Sequence, residues 1–340
     1  MSDAERTLRP EEAHRLFHEA LAREEARYVD PATGAVRAGM GATPTACAAC
    51  GGPLGEARGG YAACRDCGTL NSSPRLDPKR LPELWTGDGA AAFFHRHVYA
   101  PTAARRMGLM RERAAVLAGL LPTGRVLEAG CSIGLFLDAL TERGFHAEGV
   151  EVVEHCVETC RAKGHRVQRA AFEQADLEEG VYDGLAAFEV LAHLADPRAF
   201  ADRARRCLRP GGVLFLTTPN AAGLEYDTIW EGGTARHDNL KPHVFLQILT
   251  AEGLRRLLET AGFEVLRLET PGRMDVENIR NTALGESRRF SCCFFDGLFL
   301  DEGPKAETAR AAFQKFLADT GRSGHMLLLA RAGETRPPGR

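Results

Sequence analysis

Val126-Leu127-Glu128-Ala129-Gly130-Cys131-Ser132-Ile133-Gly134 is the stretch on which the reading of this chain turns. An apolar run ends beside an acidic residue, bends through small residues and opens a helical stretch, Leu135–Glu142. A nucleotide-like ligand needs that geometry, because small residues let it approach the backbone. The spacing is not that of a dinucleotide turn. After Gly130 the next glycine is Gly134, whereas G-x-G-x-x-G would place one two positions on. Glu128, at the strand end, suits a cationic ligand and repels a pyrophosphate. Seventeen residues after Gly134, Glu151 closes the next apolar run, Ala147–Glu151. A carboxylate at about that distance can accept hydrogen bonds from both ribose hydroxyls. The pair predicts a site for a positively charged nucleoside. A glycine-rich turn without ligand explains the loop alone but not its pairing with Glu151.

Outward from this loop the chain alternates short apolar runs with helical stretches. Strands are expected at Arg125–Ala129, Ala147–Glu151, Arg166–Ala170, Gly184–Val190, Gly212–Thr218, Phe263–Glu269 and His325–Ala330. Helices are expected at Leu135–Glu142, His155–Ala162, Phe200–Leu208 and Ala251–Ala261, the last capped by Thr250. That alternation predicts an α/β fold with a doubly wound, mainly parallel sheet and helices on both faces. Some fifty residues before the final strand, 271–322, read as an insertion with one helix near Thr308–Leu317.

The N-terminal third has another texture. Residues 1–45 read as a helix over about 10–27 and a Gly/Ala-rich linker; 75–123 read as a helical connector, clearest at Ala103–Leu121. Between them, 46–74 holds Cys47-x2-Cys50 and Cys64-x2-Cys67, each pair followed by glycine. Such knuckles aim four thiolates at one ion, and four thiolates make a closed, structural zinc site. The segment has little else to bury, so metal binding should supply its folding energy. Residues 333–340 read as a disordered tail, and 124–332 as the catalytic domain.

The 340 residues carry a net charge of −3. Nucleic acid is therefore not indicated as a partner; the ribbon holds only Arg58 and Arg65 against Glu56 and Asp66. No apolar run reaches the roughly 18 residues of a membrane span, and the charged N-terminus has no signal core. A cytoplasmic address and no membrane partner are expected. Oligomeric state is not readable.

Leu127–Gly134 resembles the first motif of class I S-adenosylmethionine (SAM)-dependent methyltransferases, with Ser132 where a glycine is usual. The resemblance continues through Tyr182-Asp183, Phe188–Pro197, Leu208–Gly212 and Thr218–Asn220, which are similar to signatures of the ubiquinone-type and sugar-type branch. Ala192 stands where that branch has a second glutamate. The resemblance implies a Rossmann-like, seven-stranded methyltransferase sheet with SAM as cofactor. It implies that Glu128, Gly130, Cys131, Ser132 and Gly134 hold the methionine portion, and Glu151 the ribose. Val152, Ala171 and Phe172 would flank the adenine, and Glu189 follows the fourth strand beside the site. Lys241–Phe245 resembles an element that covers cofactor and acceptor. Thr270–Asn281 resembles a segment of zinc-ribbon methyltransferases tied to surface glycans and natural products.

SAM carries an activated methyl group, so the protein's task is alignment and exclusion of water. A hydroxyl acceptor also needs a base. The candidates are His193, His243, His237 and Glu189, with Tyr226 and Asp238 nearby in sequence. The expected acceptor is a small molecule, a hydroxyl of a sugar, glycan or natural product. A zinc-ribbon RNA methyltransferase and a sugar C-methyltransferase are the alternatives.

Overall fold

The computed structural model describes residues 9–85, 89–226, 240–285, 287 and 289–334. Its elements, in order, begin with α1 (Pro10–Tyr28), β1 (Gly41–Ala42), β2 (Leu54–Arg58), β3 (Tyr61–Cys64), β4 (Leu70–Ser72) and β5 (Arg75–Leu76). The connector holds α2 (Leu81–Trp85), α3 (Ala90–Phe93), a π-helical stretch Phe94–Tyr99 and α4 (Ala103–Ala118). The main domain runs β6 (Arg125–Ala129), α5 (Leu135–Thr141), β7 (His146–Glu151), α6 (Glu154–Ala162), β8 (Arg166–Arg169), β9 (Tyr182–Phe188), α7 (Pro197–Cys207) and β10 (Leu208–Pro219). It continues with β11 (Gln247–Ile248), α8 (Ala251–Thr260), β12 (Phe263–Glu269), α9 (Asp275–Gly285), α10 (Cys293–Leu300), α11 (Pro304–Asp319) and β13 (His325–Ala332).

Seven strands form one sheet in the order β12-β13-β10-β9-β6-β7-β8. β6 to β10 pair in parallel, and β13 lies antiparallel between β10 and β12. Strand period decides the two faces. Leu127, Leu185 and Leu214 face one core with Phe172 and Phe200; their neighbours Val126, Ala186 and Phe215 face the other with α4 and α5. From β6 the chain steps outward to β7 and β8, then returns to place β9 on the opposite side of β6. That reversal opens a crevice beyond the carboxyl ends of β6 and β9, where such sheets bind ligands.

Local chemistry sets the helix starts. Asp196 caps α7 by accepting from Arg198 N at 2.9 Å and Ala199 N at 3.1 Å, with Pro197 at the first position. Thr250 Oγ1 caps α8 by accepting from Gly253 N at 3.0 Å.

The structure adds contacts that the expected segments did not include. In the linker, Gly41 and Ala42 pair with Leu76 and Arg75, and Val36 is buried against Tyr28. In the ribbon, β4 pairs with β11 of the main domain. The insertion holds α9 and α10 besides the expected α11, packed by Phe290, Phe295, Phe299 and Phe313. Of the expected tail, residues 335–340 lie outside the described residues. Among the described residues, no helix is long and apolar enough to cross a membrane.

Candidate active site and metal centre

The loop after β6 lies in the crevice. Gly130 has φ +74°, and a Cβ there would stand 2.7 Å from Val190 Cγ2, just past β9. Only glycine lets the two strand ends approach so closely. Ser132 also takes a left-handed φ, 49°. Two bonds hold it there: its N–H donates to Glu151 Oε2 at 2.8 Å, and its Oγ lies 2.9 Å from His95 Nδ1. Gly134, φ +77°, turns the chain into α5.

The two strand-end carboxylates differ. Glu151 is 6% exposed and accepts from Ser132 N, from Val152 N at 2.7 Å and from Val153 N at 2.9 Å. Burial still raises its pKa, although the three N–H groups favour the charged form. Glu128 is 4% exposed, and its Oε2 has no hydrogen-bond partner among the described residues. Burial pushes its carboxyl well above the ordinary value, with Arg113 pulling the other way. A buried carboxylate oxygen left bare is costly, and a cationic ligand group offsets that cost. The residues present therefore fit SAM: a bare acid for an ammonium, small residues for close approach, and a second acid at the next strand end.

Three of the loop-associated residues point elsewhere. Cys131 is buried with Leu137, Val157, Cys160 and Val167, below the loop. Phe172 packs on Phe200 at 4.8 Å between ring centroids and is 5% exposed. Val152 leans on the core shared with α4 and α5; Ala171 remains half-buried.

Glu189 has φ +59°, and its Oε2 lies 3.5 Å from His325 Nε2. His193 ends a short 3-10 turn four residues on. Its Nδ1 is 2.9 Å from the carbonyl oxygen of Val244, and its ring packs between Trp85 and Phe245, with centroids at 5.1 and 4.8 Å. A carbonyl only accepts, so Nδ1 carries the hydrogen and Nε2 is left as an acceptor. Burial lowers the pKa of His193, with Glu189 opposing.

His243 has a different setting. It is fully buried, stacked on Tyr28 of α1 at 5.7 Å, and neither ring nitrogen has a hydrogen-bond partner among the described residues. Burial pushes its pKa down to about 4. His237 and Asp238 lie outside the described residues, and Tyr226 closes a 3-10 turn at their edge. Thr270–Asn281 closes the insertion: Asp275, 2% exposed, accepts from Ser323 Oγ and Gly324 N, each at 2.6 Å.

Reading the sequence missed His95, Tyr99 and Arg113. Arg113 lies 4.1 Å over the Phe188 ring at the end of β9, and its charge acts on both Glu128 and Glu189. The density of rings in Phe93–Tyr99 was the available signal.

In the ribbon, the sulfurs of Cys47, Cys50, Cys64 and Cys67 all lie within 4.8 Å of one another. Cys50 is 3.5 Å from Cys64 and 3.4 Å from Cys67, and Cys47 is 3.7 Å from Cys67. A tetrahedral ion with metal–sulfur bonds of about 2.3 Å spaces its sulfurs at about 3.8 Å. Gly51 and Gly68, at φ +78° and +74°, turn the two knuckles. The cluster fits zinc.

The family described as "Methyltransferase domain" matches residues 100–268. A "Ubiquinone biosynthesis O-methyltransferase" of Xylella fastidiosa (strain M23) is 34% identical over 109 residues, 29% of this chain and 44% of that protein. A "Probable S-adenosylmethionine-dependent methyltransferase" of Mycolicibacterium smegmatis is 34% identical over 142 residues, 41% of this chain and 52% of that protein. The chain spans about half the length of these curated relatives. A SAM dependent methyltransferase of Archaeoglobus fulgidus with a solved structure has a TM-score of 0.46 at 16% identity, covering 68% of this chain and 98% of that one. Residues 100–268 thus carry the matched methyltransferase domain, and the strand-end acids and 130–134 loop within it resemble those of class I SAM-dependent methyltransferases.

Proposed function

We propose that this protein transfers a methyl group from SAM to a small-molecule acceptor, a hydroxyl of a sugar, glycan or natural product. The observation that carries the proposal is Glu128, buried at the end of β6 with one oxygen unpartnered. In this reading Glu128 and the backbone of 130–134 hold the methionine portion, and Glu151 holds the ribose. Bound SAM supplies an electrophilic methyl group. Phe188 and Arg113 close the crevice from the β9 side. His193 is the proton acceptor, because Val244 fixes its tautomer and burial keeps it neutral near pH 7. Its Nε2 takes the hydroxyl proton as the acceptor oxygen attacks. His243, packed on Tyr28, has a structural part in this reading. The four-thiolate cluster holds zinc. The ten cysteines form no disulfide, which fits a reducing, cytoplasmic setting.

Calorimetry with S-adenosylhomocysteine tests the site. Glu128→Gln and Glu151→Ala should each weaken binding by roughly tenfold or more, with zinc content unchanged. Wild-type affinity in both variants would remove the crevice from the proposal.

A further inference from the structure

The loop carrying His193 is braced from outside its own sheet. Four successive backbone carbonyls of that loop, apart from that of His193 itself, are bound by two other segments. Ala192 O accepts from Leu246 N at 2.7 Å. Leu191 O and Leu194 O both accept from the side chain of Gln247, the latter at 3.1 Å. Ala195 O accepts from Arg75 Nη1 at 2.8 Å. The ring of His193 is held by Val244 O in the same strip.

That strip is attached to the ribbon. Gln247 and Ile248 pair with Asn71 and Leu70 of β4. Leu246 O accepts from Ser72 N at 2.9 Å, and Phe245 O accepts from the Tyr61 hydroxyl at 2.9 Å. Asn71, fully buried, reaches the metal centre: its Oδ1 accepts from Ala48 N at 2.9 Å, and its Nδ2 lies 3.7 Å from Cys47 Sγ. The route from the Cys47 thiolate to both sides of His193 thus runs from Asn71 along β4 to Ser72, across the Ser72 N–Leu246 O bond, and on to the Leu246 N–H and the Gln247 side chain. The ribbon also holds α7 and α8 of the main domain. Arg198 of α7 donates to Ala49 O at 3.3 Å, and Thr250 Oγ1, the α8 cap, donates to Cys67 O.

We propose that the zinc ribbon is the positioning frame of His193, with Asn71, Gln247 and Arg75 as positioning residues that fix the orientation of its imidazole. This rests on reading His193 as the proton acceptor. The physical reason is the cost of bare carbonyls. Gln247 is fully buried, and an apolar side chain there would leave Leu194 O without its donor and Leu191 O with only the long 3.5 Å bond from Leu194 N. A buried carbonyl deprived of its donor is costly, so the loop shifts to find new partners and the ring turns with it. The charged group facing the ring is Glu189; Trp85 and Phe245 present uncharged rings.

Ring nitrogen shifts of 15N-labelled, zinc-loaded protein with S-adenosylhomocysteine bound test this without any acceptor. His193 is assigned by its loss in His193→Gln. The wild-type ring should show hydrogen on Nδ1 and titrate below the ordinary 6.5. Gln247→Met and Arg75→Met, at unchanged zinc content and S-adenosylhomocysteine affinity, should mix the tautomers and bring the titration back up by about half a unit or more. Chelation of zinc should do the same while the seven-stranded sheet persists by circular dichroism. A ring signal unmoved in both variants and after chelation would overturn the proposal. Two variants are used so that a folding defect in one leaves the other to decide. Failure of the underlying reading shows separately, as methyl transfer retained in His193→Gln.

Discussion

The ribbon and the insertion between β12 and β13 are both additions to one sheet, and they are held by opposite means. Apart from Tyr61 and the cysteines, the ribbon's buried residues are small or polar: Ala49, Ala62, Thr69, Asn71 and Ser72. It has four thiolates in place of a core of its own, and it joins the domain through backbone pairing and through Cys47, Ala49, Cys64 and Cys67, which lie in the main apolar cluster. The insertion has a core of its own, with Val276, Ile279, Phe290, Leu298, Phe299 and Leu317 buried together. One carboxylate, Asp275, ties it to the last strand. A segment that cannot bury apolar surface needs a metal, and its geometry is then dictated by the ion. A segment that can bury rings is free to pack them wherever they fit. The first kind is suited to passing a fixed geometry to its neighbours; the second is suited to filling space.

The sharpest way to break this contrast is to remove a thiolate. Cys50→Ser should abolish stoichiometric zinc and strip hydrogen-exchange protection from residues 41–76, an effect on the order of 10 kcal/mol on the ribbon. Protection in α9–α11 should be unaffected. Full zinc content in the variant would refute the metal as the ribbon's core.

The matching cut in the insertion is smaller. Asp275→Ala strands the Ser323 hydroxyl proton and the Gly324 N–H and leaves the Gln314 amide with Gly272 O and Ser323 Oγ. Urea unfolding should show a loss of roughly 4 kcal/mol, with zinc retained. A loss near zero would mean that the rings alone hold the insertion.

Acid should separate the two regions again. His243, beside the ribbon, has its pKa pushed down to about 4 by burial. The folded chain keeps it neutral, whereas the unfolded chain takes up a proton near 6.5. Its contribution is therefore complete above pH 6.5 and is lost as pH falls toward 4, up to about 3 kcal/mol. The insertion, 271–322, contains no histidine. Hydrogen exchange at pH 5 should loosen Tyr28 and its neighbours before α11, and His243→Phe should flatten the pH dependence. An equal slope in that variant would assign the acid sensitivity elsewhere.

The smallest effect belongs to the insertion's outer face. Phe316 is 54% exposed, so Phe316→Ser should change stability by no more than about 0.5 kcal/mol. A larger loss by thermal unfolding would show that this ring contributes to the core after all.

Much of this molecule was legible because its signals sit at fixed chain spacing. The strands of the seven-stranded sheet, the turn through Gly130 and Gly134, the cap Thr250, and the two cysteine knuckles each announce themselves within a few residues. The reason is local: a left-handed φ, an N-cap oxygen, a period of two or a pair of thiolates aimed at one ion constrains only nearby positions. The insertion's α10 escaped because its rings pack without a clean period, and α9 because it buries only Val276, Ile279 and Ala283 on one face, too short an apolar stripe to stand out.

His193 and His243 read alike in the amino-acid order, each a histidine past a strand end. Tertiary structure alone separated them, giving one a fixed tautomer at Val244 O and the other a stack on Tyr28. It alone joined Asn71 to Gln247, Ser132 to His95, and Asp275 to Ser323. These contacts link positions from 37 to well over 100 residues apart. No periodicity records them, because what selects them is the requirement that every buried polar group find a partner in the finished fold.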